Sequence, residues 1–71
     1  MYRLHDVTIN GKYRDEANTI IKKHIDAGDI DKIYAARDYV KGNITYWITP
    51  YIYEDLETIM DEFKEAGIQI L

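Results

Sequence analysis

The chain has no cysteine and no serine, a single proline, and glycine at four isolated positions only. Without cysteine there is neither a disulfide nor a thiolate zinc site, and that usage fits a reducing compartment. With serine also missing, nucleophilic catalysis is left to threonine, and no threonine adjoins a histidine in the sequence. Scattered glycines do not make a phosphate-cradling loop. No apolar run approaches the ~20 residues that span a bilayer. The opening residues MYRLHDVTINGK hold no apolar stretch before a cleavage site, so a signal peptide is not expected and a cytoplasmic protein is. Bases are also in short supply, nine Lys and Arg against thirteen Asp and Glu, for a net charge of −4. Phosphate-dominated nucleic-acid binding needs clustered Lys and Arg, so that class is disfavoured.

What is present is concentrated in one stretch, Tyr51 to Gly67. Ile52, Leu56, Ile59, Met60, Phe63 and Ala66 recur at helical spacing and occupy about a third of the circle. The opposite face holds Glu54, Glu57, Asp61 and Glu65, with Asp55 and Glu62 on one flank and Lys64 as the only base. Six acids against one base give this segment −5, against −4 for the whole chain, so the remainder is close to neutral.

The other elements follow in order. Residues 2–9 suit a strand, and Asn10-Gly11 either turns it into a short second strand at 12–14 or hands over to a helix; the handover is favoured. Residues 14–27 carry Ala17, Ile20, Ile21, His24 and Ile25 on one helical face, with Asp15 as the expected N-cap and Gly28 at the C′ position. Residues 30–40 read as a strand and Lys41-Gly42 as a turn. Residues 43–49 alternate most clearly, with Ile44, Tyr46 and Ile48 on one face and Thr45, Trp47 and Thr49 on the other. Thr49 and Pro50 are expected to start the acidic helix as cap and first-turn residue. The last four residues, IQIL, read as a strand. The order βαββαβ predicts a ferredoxin-like α+β sandwich, a single domain over residues 1–71 with a four-stranded antiparallel sheet and both helices on one face. In element order this resembles small regulatory and RNA-binding ferredoxin-like domains. The strands lack the glycine-and-aromatic signature of an RNA-recognition motif, and no glycine-rich ligand loop is present.

Chain length bears on function. A domain this small buries only about 60% of its unfolded surface. With disulfides excluded, self-association is the common remedy, so a homodimer is expected. A ligand pocket of ~300 Å³ is hard to fit except between subunits. No His-x-x-x-His or Glu-x-x-His pair offers a metal site, and His24 reads as a core-edge histidine with a hydrogen-bond partner. No cofactor, metal or catalytic residue is expected.

Two surfaces remain. Trp47 should project from the open sheet face, with Thr45, Thr49, Tyr34, Arg37 and Tyr39 as candidate companions for self-association, since Trp, Tyr and Arg are enriched in interface hot spots. The residue opposite Trp47 is Ala36 for a two-residue turn or Arg37 for a three-residue one, and the face of Tyr34 and Tyr39 depends on that register. The carboxylates Glu54, Glu57, Asp61 and Glu65 advance about 5.4 Å per step, a spacing that can imitate a phosphate track, with Asp55 and Glu62 beside them. Acids also run into the last turn at Glu62 and Glu65, where the helix dipole prefers cations. The expected function is a non-enzymatic protein-binding module, an inhibitor or adaptor of the style phages and mobile elements encode, docking a basic partner. The alternatives are a nucleic-acid binder that stacks bases on the sheet aromatics, and a ligand sensor or enzyme with a site between subunits.

Overall fold

The structure is a computed structural model that describes residues 5–71. Five main elements succeed one another: β1 (His5–Asn10), α1 (Arg14–Asp26), β2 (Ile30–Asp38), β3 (Asn43–Pro50) and α2 (Tyr53–Glu65). The strands form an antiparallel sheet in the order β1-β3-β2. The connection from β1 through α1 to β2 therefore passes over β3, which fills the gap between two strands that run the same way.

This corrects the expected fold. The sheet has three strands, not the four of a ferredoxin-like sandwich, although the order β-α-β-β-α was anticipated. The terminal IQIL segment contributes a single bridge, Ile9 to Ile70, closed by a bond from the Leu71 amide to the Thr8 carbonyl. The reason is local. Gly67 (φ +81°) closes α2 in a Schellman turn, with the Gly67 and Ile68 amides donating to the carbonyls of Lys64 and Phe63. Ile68 is committed to the core, and the residues beyond it form only the isolated bridge at Ile70. Residues 2–4 of the expected first strand lie outside the described residues.

The register assigns faces. Val7 and Ile9 of β1 lie opposite Tyr46 and Ile44 of β3, and all four are buried together with Ile48. Ala17 and Ile21 of α1, and Leu56, Ile59 and Phe63 of α2, complete one core with Ile30 and Ile68. Both helices therefore cover the same face, as the 3.6-residue and two-residue periodicities require. The other face carries Asp6, Thr8, Thr45, Trp47, Tyr34 and Ala36.

Asn10-Gly11 hands over to α1 without a second strand. A 3-10 turn, Gly11–Tyr13, follows β1, and the Asn10 side chain accepts a bond from the Lys12 amide. Consequently Asp15 is not the cap. It lies inside the first turn of α1, whose N-cap is Tyr13. Pro50 is likewise not a helix residue: it ends β3 opposite Ile30, and α2 begins after Ile52. A proline fits there because a strand terminus can forgo a ladder donor.

Candidate functional site

The surface of α2 is built by its own periodicity. With Leu56, Ile59 and Phe63 buried, Glu54, Glu57, Asp61 and Glu65 must point to solvent, and all four are exposed. None of them takes part in an ion pair among the described residues; the Lys and Arg side chains that do pair are Arg14 with Asp15, Lys22 with Asp26, and Lys23 with Glu62. Asp55 is half-buried on the flank. Glu54 and Asp55 occupy the first turn, where the dipole favours acids. Glu57, Asp61 and Glu65 have no such local justification.

Glu62, the other flanking acid, faces α1. Its Oε1 accepts a bond from Lys23 Nζ and its Oε2 lies against His24 Nε2, both at 2.9 Å. The second ring nitrogen, Nδ1, is 2.9 Å from Asp29 Oδ2. The Schellman turn after α1 puts that carboxylate there. Gly28 (φ +79°) reverses the chain, and the Asp29 amide donates to the His24 carbonyl, so backbone and side chain of Asp29 both meet His24. Burial lowers the His24 pKa, but the bonds and charges of Asp29 and Glu62 outweigh it and leave the pKa raised. Glu62 is held below the ordinary carboxylate range, mainly by the Lys23 bond, against the effect of burial, with His24 assisting. The cluster thus sets the imidazole between two carboxylates that favour its charged form, and ties α1, the turn and α2 together. The acid in the last turn at Glu62 has a structural role; Glu65 is the one left without one. The partners of His24 lie five and 38 residues away in the chain, so only the periodic burial of the ring was visible in the sequence.

The six residues expected to share a self-association surface divide. Trp47 does face the open side, opposite Asp6 on β1 and Tyr34 on β2. Its neighbour is thus neither Ala36 nor Arg37, because the β2–β3 loop has four residues, 39–42, rather than two or three. Asp38 holds that loop: its carboxylate accepts bonds from the Val40 and Lys41 amides, and its carbonyl one from Gly42. Thr45 shares the open face and bonds Thr8 through their hydroxyls at 2.8 Å. Thr49 is buried. Arg37, opposite Ile44, belongs to the helix-covered side of the sheet, and Tyr39 sits in the loop. Tyr34 and Tyr39 are 59% and 87% exposed, enough for either to meet a partner.

Among the described residues no group of three or more His, Asp and Glu side chains is arranged to hold a metal ion. No helix of the described residues is long and apolar enough to cross a membrane. No family model matches the chain, and no curated protein or solved structure shows a match to it.

Proposed function

We propose that the protein is a non-enzymatic binding module, an inhibitor or adaptor acting in the cytoplasm, that docks a basic protein partner through α2. The observation that carries this reading is the row Glu54, Glu57, Asp61 and Glu65, exposed on one helix face and free of ion pairs among the described residues. Carboxylates at one-turn intervals on a rigid helix project a field that accelerates encounter with a cationic groove. Such a row suits a partner that normally holds nucleic-acid phosphates, which is the style of target for phage or mobile-element inhibitors. The test is co-purification from lysate with two baits, the native chain and a variant carrying Glu54→Lys, Glu57→Lys, Asp61→Lys and Glu65→Lys. A basic protein retained by the first and lost by the second supports the reading. An identical set on both baits removes α2 from consideration.

Self-association belongs to the same reading, and β2 supports it. This nine-residue strand is at the edge of the sheet and exposed over most of its length. A two-fold antiparallel pairing centred on Ala35 sets Lys32 opposite Asp38 of a second copy, on the same face as Trp47 and Tyr34. Sedimentation should show a dimer that Lys32→Glu weakens; a monomer throughout the micromolar range contradicts it.

A further inference from the structure

One part of the molecule runs against the overall acidity. The Gly11 amide donates to the Gly42 carbonyl at 2.8 Å, holding the loop end of the β2–β3 hairpin against the turn that precedes α1. A side chain at Gly11 would collide with that carbonyl, so the approach depends on glycine. The first turns of α1 and the inner face of the hairpin diverge from this joint. Between them lies an open cleft of about 270 Å³, lined by Arg14, Asn18, Ala35, Arg37, Tyr39 and Tyr46 among others. Ala35 and Arg37 stay exposed although they are on the helix side of the sheet, because the helices do not extend over this end of β2.

The chemistry of the walls is consistent. Tyr46 donates its hydroxyl to Asn18 Oδ1 at 2.8 Å, which leaves the Asn18 amide nitrogen without a partner among the described residues. Among the described residues the Arg37 guanidinium makes no hydrogen bond or ion pair, and Arg14 has only two long bonds, of 3.3 and 3.4 Å, to one oxygen of exposed Asp15. Both guanidinium charges act on the Tyr46 hydroxyl, opposing the larger effect of burial, which raises its pKa. Two planar donor forks, an amide N–H₂ and an adjacent aromatic ring form a set that matches an oxyanion attached to a flat body. Polyanions are repelled by the −4 net charge, whose acidic excess is all on α2, whereas a small anion can enter.

We propose that the cleft between the start of α1 and the β2–β3 hairpin binds a small oxyanion ligand, a phosphate or carboxylate held by Arg14, Arg37 and Asn18, with Tyr39 against its body. None of these residues belongs to α2, so this site and the docking reading stand or fall separately. The test is NMR titration of the ¹⁵N-labelled full chain with inorganic phosphate in one arm and benzoate in the other. Ionic strength is fixed with chloride, because long-range screening would otherwise mimic binding. The expected result is saturable shifts at the Arg14 and Arg37 side-chain N–H and Asn18 N–H₂ signals, with a Kd near ~1 mM or tighter for at least one probe. Arg37→Gln, an exposed residue with no bond to lose, should weaken that binding at least about tenfold, and Arg37→Lys by less. The arm that saturates tells phosphate from carboxylate. Linear, unsaturable shifts with both probes overturn the proposal, and so does saturable binding that Arg37→Gln leaves unchanged.

Discussion

Replacing His24 with glutamine tests what fastens α1 to α2. The imidazole is buried and both nitrogens meet carboxylates at 2.9 Å. A hydrogen bond to a charged group contributes roughly 1.5–3 kcal/mol. The Asp29 and Glu62 side chains remain 31% and 23% exposed, so water screens both and the low end applies. Two such bonds sum to about 3 kcal/mol, of which a neutral amide keeps at most one, so the expected loss is about 2 kcal/mol near pH 6. A domain of 71 residues is stable by roughly 4–10 kcal/mol. The melting temperature should therefore fall by roughly 8–16 °C. The pH dependence carries the sign. Because the folded pKa of His24 is raised from 6.5, its contribution is complete below pH 6.5 and is lost as pH rises through the folded value. Glu62, lowered from 4.5, contributes above pH 4.5 and ceases to as pH falls through its own folded value. Both act together between pH 4.5 and 6.5. Urea unfolding should show the native chain losing stability on the alkaline side of this window and His24→Gln losing much less. A native chain equally stable on both sides of pH 6.5, or a variant with the native slope, would refute the reasoning.

Other perturbations have definite expected outcomes. Phe63→Ala empties a fully buried position and should cost about 3–5 kcal/mol, a large part of the total stability, read as a steep fall in the thermal transition. Gly28→Ala meets no atom but must hold φ at +79°, so it should cost about 1–2 kcal/mol in urea unfolding. Glu65→Lys puts a cation in the last turn of α2 and should add about 0.3–1 kcal/mol. If the docking reading holds, that same substitution weakens partner capture, so stability and binding move in opposite directions.

Periodicity made much of this legible. The central buried residues of both helices (Ala17, Ile21 and His24; Leu56, Ile59 and Phe63), the inward set Ile44, Tyr46 and Ile48, and the helix stops at Gly28 and Gly67 follow from residue spacing and the left-handed freedom of glycine, whereas Ile25, Ile52 and Ala66, expected on the same helix faces, are exposed. What failed were features decided by only a few atoms. The fourth strand was lost because the residues after Gly67 go to capping and to burying Ile68. The neighbour of Trp47 was misjudged because Asp38 supports a four-residue loop, and a two- or three-residue turn shifts every cross-strand pair. Asp15 and Pro50 carry cap and first-turn preferences, yet the 3-10 turn and the length of β3 displaced both. The pairing of His24 with Glu62 and the meeting of Arg14 with Arg37 join residues distant in sequence, which spacing rules do not reach.

The most direct test of the docking account is the affinity of the captured basic partner for the native chain and for the four-lysine variant, measured by calorimetry across a range of salt. The account predicts binding that weakens steadily as salt rises, and a loss of at least about tenfold on charge reversal, as removal of a few favourable charge pairs requires. Salt-independent binding that survives the reversal would contradict it and direct attention to the sheet face around Trp47.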